Sequence, residues 1–268
     1  MWTRRHWIAA AGSAISVSMR ADSAYIATIE AWRREKEESL KADDGWLAVA
    51  GLHWLNEGPN TIDDAPGHVF TLHANQVTLS VNRQTSVLRP DIPGPADHVT
   101  IGGKTIFVIA RGGRFGLRIR DKQSPYRAAF RGLRWFSVRP EYRLTARWIP
   151  HATPIPRNIA TVTGIDEIMT SPGVAQFDLE NKKCTVEPVL SEEKLFFIFK
   201  DLTAGKTTYP AGRFLYAPSP RNGLVELDFN QAYNPPCAFT PYATCPLPPR
   251  HNHLPVSVEA GELNYHHD

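Results

Sequence analysis

Two cysteines in a stiff, aromatic segment near the C-terminus are the side chains best suited to chemistry. Residues 228–249 read DFNQAYNPPCAFTPYATCPLPP and contain Cys237 and Cys245. Proline fixes φ and removes a backbone donor, so such a proline-rich segment is stiff without being a helix or an interior strand. We therefore expect a loop that holds its polar and aromatic side chains in fixed positions.

Three roles are open to the cysteine pair. In an oxidising compartment Cys237 and Cys245 would form a disulfide and leave Cys184 as a buried spare thiol. Alternatively, Cys237 is a free catalytic nucleophile, which requires a base or a cation that favours its thiolate. The third role is metal ligation, because His251 and His253 follow the cysteines with the spacing C-x7-C-x5-H-x-H. That spacing is not a standard zinc pattern, and we expect no bound metal or other cofactor.

Polar side chains cluster where a strand-like run enters the same loop. Asp228, the candidate catalytic carboxylate, alternates onto one face with Asn230. The candidate ligand-binding groups are amides, phenols and cations, namely Lys200, Arg213, Asn230, Tyr233, Asn234 and Tyr242. We expect residues 228–249 to form one wall of the principal cavity, with both cations close by. The simpler alternative is that the Asp and Asn side chains cap backbone donors of the loop itself.

Common catalytic and nucleotide-binding motifs are missing from the sequence. The segment AGKTT, residues 204–208, lacks the earlier glycine of a phosphate-binding loop, and no helical pattern follows it. There is no G-x-S-x-G elbow, no H-E-x-x-H and no glycine-rich dinucleotide fingerprint. The sequence therefore leaves open whether the protein is an enzyme.

Four blocks of sequence resemble the bacterial and archaeal domain-of-unknown-function family 1684. They are DGWLAVAGLHWLNEGPNTI, SPYRAAFRGLRWFSV, LFFIFKDLTAGKTTYPAGRFLYA and the proline-rich segment 228–249. The similarity runs from about residue 32 to residue 262. The resemblance implies family membership but no particular activity. His53 stands where we expect an aromatic residue in relatives, which weakens any catalytic role for His53.

The N-terminus reads as an export signal over residues 1–24. Arg4 and Arg5 precede the apolar stretch WIAAAGSAISVSM, and the small-x-small sequence ADS follows at residues 21–23. The stretch is too short to span a bilayer, and its arginine pair resembles a twin-arginine signal. We predict a periplasmic or secreted protein that is not inserted in the membrane after signal removal. The alternative is a cytosolic protein with an apolar N-terminal arm.

The composition is that of a folded, soluble chain. Apolar residues make up 42% and charged residues 21% of the 268 residues, which excludes the disordered class. Most of the net charge of +3 comes from residues 1–24. We therefore expect no nucleic-acid partner, and the oligomeric state stays open.

The hydrophobic pattern predicts an all-β fold of antiparallel sandwich or barrel-like sheets with one amphipathic N-terminal helix. Helical spacing of apolar residues covers residues 25–42, and period-two runs follow one another from residue 46 onward, including LRWFSV at residues 133–138. A break near Pro125 divides the mature chain into halves at 25–125 and 126–268. Because the connection is short, we expect the halves to form one compact unit.

Three functions fit these observations. The first is an exported β protein whose polar-aromatic pocket binds, and in one version hydrolyses, a small polar or carbohydrate-like molecule. The second is a non-enzymatic envelope or interaction module that docks a partner through the proline-rich loop. The third is a metal-dependent enzyme, which a twin-arginine signal would suit.

Overall fold

The structure, a computed structural model, describes residues 9–266, with side chains from residue 22 onward. It is 44% strand and 16% helix, which confirms the predicted class of antiparallel β-sheets with an N-terminal helix. Residues 1–8 of the predicted export segment lie outside the described residues, and of residues 9–21 only the helical backbone is described. Among the described residues, none of the helices combines the length and the apolar character needed to cross a membrane.

The elements follow one another in a simple order. The helices are α1 (Ala9–Lys41) and the short α2 (Pro125–Ala129). The strands are β1 (Val49–Trp54), β2 (Gly58–Asn60), β3 (Val69–His73), β4 (Gln76–Val81), β5 (Gln84–Leu88), β6 (His98–Ile101), β7 (Lys104–Arg111), β8 (Arg114–Arg120), β9 (Arg143–Ile159), β10 (Glu167–Leu179), β11 (Lys182–Val186), β12 (Val189–Ser191), β13 (Lys194–Phe199), β14 (Arg213–Ala217) and β15 (Leu224–Asp228). Single 3-10 turns complete the chain.

The strands form four antiparallel sheets. Strands β2 to β5 pair in sequence order, and the sheet β1-β8-β7-β6 packs against them around an apolar core centred on Phe70, Ile106 and Leu117. In the C-terminal half, β11-β10-β9-β15 and β12-β13-β14 enclose a second core that includes Phe197 and Leu227. Apolar side chains on alternate strand positions fill both cores, as the period-two pattern requires.

Helix α1 begins at Ala9 and ends at Lys41, so it is longer than the predicted helix of residues 25–42. The extension follows from alanine, which has the highest helix propensity and recurs in the segment before residue 25. Ile29 and Leu40 are buried on the face that packs on the C-terminal half. At the start of that face, the hydroxyl of Tyr25 donates to both oxygens of Asp228 at 2.8 Å.

The predicted strand at residues 133–138 is wrong, because the structure has irregular backbone there. Only Trp135 makes a bridge, which pairs it with Glu262. The ring of Trp135 meets the ring of Trp32 edge-on at 5.7 Å, and the guanidinium of Arg33 lies 4.9 Å from its centroid. The apolar side chains of this segment therefore support α1 instead of a sheet.

Replacing Tyr25 by Phe should loosen α1 from the C-terminal half. The variant keeps the ring but removes a hydrogen bond to a carboxylate, so the free energy of unfolding should fall by about 1 kcal/mol. Urea unfolding followed by circular dichroism measures the change. The control is Thr28→Ala, which removes an exposed bond to the Ala24 carbonyl and should change stability by less than about 0.5 kcal/mol. Equal stability of Tyr25→Phe and the native protein would contradict the anchoring role.

Candidate functional site

A cavity of about 270 Å³ lies between the C-terminal half of α1 and the C-terminal β-sheets. We call it the aromatic cavity. Its lining comes from α1, the segments that follow α1 and α2, β13, β14 and the proline-rich loop. The lining residues are Lys36, Ser39, Leu40, Trp46, Leu133, Phe196, Phe214, Tyr216, Tyr233, Asn234, Pro236 and Phe239.

Four aromatic rings form one continuous wall of this cavity. Phe196 of β13 pairs with Tyr216 of β14, and their rings stack with centroids 4.8 Å apart. Phe214 lies on the same face of β14 as Tyr216, because strand side chains alternate. The ring of Tyr233 is stacked at 6.4 Å on Tyr216 and meets Phe214 edge-on at 5.9 Å. Because each ring is held by its neighbours, the wall is formed before any ligand arrives.

Lys36 brings a positive charge to this wall. Its Nζ lies 3.5 Å from the ring centroid of Tyr233 and 5.8 Å from that of Trp32, one turn earlier on α1. Among the described residues, the Nζ atom of Lys36 has no hydrogen bond and no ion pair within 4 Å. Burial lowers the pKa of Lys36, and the charge of Glu262 opposes that shift. The cation is therefore stabilised chiefly by aromatic faces.

Asn234 and Glu262 form the polar floor of the site. Both donors of Asn234 on this side, its backbone N–H and its Nδ2, bond the carboxylate of Glu262 at 2.9 and 2.8 Å. Nδ2 also donates to the carbonyl of Leu263, whereas the Oδ1 atom is buried without a partner in the described residues. Glu262 is only 2% exposed, and burial raises its pKa to about 8. At neutral pH the floor is therefore largely uncharged.

A tight backbone turn delivers Glu262 to this position. Gly261 has φ of +82°, and a Cβ at this position would lie 2.8 Å from the carbonyl oxygen of Phe229. The backbone N–H of Glu262 donates to the carbonyl of Ala232 at 2.8 Å. Only glycine fits such a close approach with a positive φ, so the turn and the loop are locked together.

The cysteines are free thiols in the structure. The backbone N–H of Cys237 donates to Cys245 Sγ at 3.2 Å, and the hydroxyl of Tyr209 contacts Cys237 Sγ at 3.8 Å. A hydrogen bond from the Cys245 thiol lowers the pKa of Cys237, and the same contact together with burial raises the pKa of Cys245. Cys184 is buried in the C-terminal core, as the sequence indicated.

Asp228 and Asn230, predicted to face a ligand, hold parts of the fold together. Asp228 accepts hydrogen bonds from Tyr25 and from the backbone N–H of Asn230. Asn230 is fully buried and bonds both the N–H and the carbonyl of Arg139. Only the bond from Asp228 to the backbone N–H of Asn230 is the capping within the loop that the sequence offered as the simpler alternative, because Arg139 and Tyr25 lie outside the loop.

The other predicted ligand-binding residues divide between the cavity and the rest of the fold. Tyr233 and Asn234 line the aromatic cavity. Arg213 is 1% exposed and donates to Asp201 at 2.8 Å and to two backbone carbonyls of the C-terminal segment. Lys200 pairs through its backbone with residues 252–254, and the ring of Tyr242 meets that of Tyr126 at 6.2 Å. Neither Lys200 nor Tyr242 is among the residues that line the cavity.

In the C-x7-C-x5-H-x-H pattern the two cysteines contact each other, whereas the two histidines have other partners. His251 Nε2 lies 3.2 Å from the carboxylate of Glu187, and His253 Nε2 lies 3.3 Å from the carbonyl of Pro248. In the part of the chain that is described, no three His, Cys, Asp or Glu side chains come close enough together to hold a metal ion.

Sequence reasoning missed Lys36, Glu262 and the aromatic residues of β13 and β14. One signal was available for Lys36, because it follows Trp32 by four residues and therefore lies on the apolar face of the predicted helix. A cation on that face is unusual. Glu262 carries no such local signal, because its burial depends on the path of the whole C-terminal segment.

Glu262 should make the stability of the protein depend on pH. Its folded-state pKa of about 8 exceeds the ordinary value of 4.5, so the folded protein holds this proton more tightly than the unfolded chain does. The stabilisation from this proton is complete below about pH 4.5 and is lost as the pH rises through 8. The free energy of unfolding should fall over this range, by at most about 1.4 kcal/mol per pH unit. Urea unfolding at several pH values should show a smaller fall for Glu262→Gln. Glu259→Gln, an exposed control, should retain the native slope, and equal slopes in all three proteins would refute the assignment.

Comparison with known proteins identifies a family without a described activity. No curated protein matches the chain. The solution NMR structure of an uncharacterized protein from Haloarcula marismortui is 31% identical, with a TM-score of 0.44, and the match covers 51% of this chain and 78% of that one. A family model for proteins of unknown function, DUF1684, matches residues 128–263, about half of the chain. The resemblance seen in the sequence is thereby confirmed, and the chain belongs to the DUF1684 family.

Proposed function

We propose that the protein is an exported binding protein for a small molecule, which it holds in the aromatic cavity. The observation that carries the proposal is a preformed, mostly apolar cavity with a few converging polar groups. Those groups are the ammonium of Lys36 and the side chains of Ser39 and Asn234. Apolar walls with a small number of fixed polar groups are typical of ligand sites.

The ammonium of Lys36 is energetically incomplete in the free protein. A cation held only by aromatic faces recovers just part of its lost hydration. A ligand that pairs with this cation would gain interaction energy on binding. The aromatic side chains of the lining, among them Phe196, Phe214 and Phe239, would meanwhile give apolar contacts to a ring.

The apolar lining changes the class of ligand that the sequence led us to expect. A polar or carbohydrate-like ligand would have to place many hydroxyl groups against Leu40, Phe196 and Phe239. A molecule with an apolar body and few polar groups suits these walls better. We propose binding alone, because the two candidate catalytic groups, Asp228 and Cys237, share no partner among the described residues.

Closing the cavity should abolish binding. Ser39 is an exposed residue of α1 at the cavity lining, and Ser39→Trp would fill the space beside it. Calorimetric titration with a panel of neutral, anionic and cationic naphthyl probes should give a Kd of about 1 mM or tighter for at least one probe. Ser39→Trp should weaken that binding at least tenfold. Glu35→Trp, on the exposed side of the same helix, should bind like the native protein. Absence of binding for every probe, or equal binding by both variants, would refute the proposal.

Export would bring the neighbouring thiols of Cys237 and Cys245 into an oxidising compartment. There the two thiols would lose two electrons and two protons to a thiol–disulfide oxidant, whose own disulfide is reduced as the new S–S bond forms. Such a bond would close the proline-rich loop and stiffen the cavity wall at Pro236. We propose this oxidised form for the exported protein.

Intact mass of protein recovered from its native cell envelope tests both parts of this proposal. The chain should begin between residues 21 and 25, and its mass should be about 2 Da below that of the fully reduced chain. Peptide mapping should place the bond between Cys237 and Cys245, with Cys184 alkylated as a free thiol. A cytoplasmic chain that starts at residue 1 or 2 would contradict export. A correctly cleaved chain with three free thiols would contradict only the bond.

A further inference from the structure

We propose that the ligand is a small aromatic carboxylate, whose ring occupies the aromatic cavity and whose carboxylate lies at Lys36. This inference rests on the proposed function and specifies the chemistry of its ligand. It is carried by two observations on the same site. These are the ammonium that has no ion-pair partner among the described residues, and a groove that continues from it toward a second lysine.

The sign of the charge in the site favours an anion. Aromatic faces by themselves would also accept a cationic ligand. Here the position over Tyr233 is already taken by Lys36 Nζ, at 3.5 Å from the ring centroid. Glu262 forms no ion pair with it within 4 Å, and both carboxyl oxygens of Glu262 accept hydrogen bonds from Asn234. A cationic ligand would therefore be repelled, and an anionic ligand would find an unpaired partner.

A single charge fits the site better than a phosphate. Phosphate recognition uses several donors, such as the guanidinium fork or consecutive backbone N–H groups. The described residues that line the aromatic cavity include one lysine and no arginine. A monovalent carboxylate neutralises the charge of Lys36 and leaves no net charge beside the apolar wall of the cavity.

A second cavity extends the site on the other side of Lys36. It has a volume of about 300 Å³ and shares Lys36, Tyr216 and Tyr233 with the aromatic cavity. Gln231 and Lys194 also line it. Lys194 is exposed, and it too has no ion pair in the described part of the chain. Lys36 therefore lies where the two cavities meet. Gln231 and Lys194 of the second cavity lie on the side of Lys36 where we place the carboxylate of the ligand.

Matched probes separate charge from shape. Calorimetric titrations would compare 2-naphthoate with the neutral 2-naphthamide and the cationic 2-naphthylmethylammonium, which have the same ring. In the native protein 2-naphthoate should bind at least tenfold more tightly than 2-naphthamide, and the ammonium compound should bind most weakly. Lys36→Met should abolish this preference while still binding the neutral probe, whereas Lys36→Arg should keep it. Lys41→Met, at the exposed end of α1, is the control that should behave like the native protein.

Each contrary result identifies what has failed. If no probe binds, the proposed function itself falls. If the three probes bind equally, or if the preference survives in Lys36→Met, the cavity binds small molecules but Lys36 does not select anions. Tighter binding of 2-naphthyl phosphate than of 2-naphthoate would replace the carboxylate by a dianion and overturn the assignment. Circular dichroism of Lys36→Met shows whether a loss of binding reflects unfolding.

Discussion

The packing of helix α1 on the C-terminal half is the constraint on which the rest of the site depends. One side of the aromatic cavity is α1, and the other is the wall of β13, β14 and the proline-rich loop. Leu40 packs with Leu47, Ala238 and Phe239 at one end of the contact. At the other end, the hydroxyl of Tyr25 bonds Asp228 across a separation of 203 residues. Without this packing Lys36 would be an ordinary solvated lysine, and the aromatic rings would form an open surface.

The proline-rich loop keeps its form because it satisfies its own polar groups. Prolines remove backbone donors, and Asp228 and Asn230 take up donors and acceptors of the neighbouring backbone. Asn234 does the same for Glu262 but leaves its Oδ1 atom without a partner. Asn234 also lines the cavity, as does Tyr233. Asp228 and Asn230 therefore stabilise the loop, whereas Tyr233 and Asn234 of the same segment contribute to the cavity wall.

The fold class could be predicted from sequence because period-two runs and turn residues are local signals. The strand predicted at residues 133–138 was wrong because its aromatic residues pack on α1, a contact that no local pattern encodes. The importance of the proline-rich loop was visible in its composition, and Tyr233 and Asn234 do line the cavity. The roles of Arg213, Asp228 and Asn230 depended on partners far away in the chain.

The family match over residues 128–263 includes the aromatic wall and Glu262 but not Lys36. The charge that defines the proposed ligand therefore lies outside the matched region.

The state of the Lys36 ammonium tests the central claim most directly. NMR of the side-chain carbons and nitrogen of labelled lysine can follow its titration with and without 2-naphthoate, and Lys36→Arg assigns the signal. In the free protein its pKa lies below the ordinary value because of burial. An anion placed beside it favours the charged form, so saturating 2-naphthoate should raise that pKa and shift the Lys36 signals selectively. If the signals of Lys36 stay unchanged while those of other lysines move, the ligand does not bind at this site and the account is contradicted.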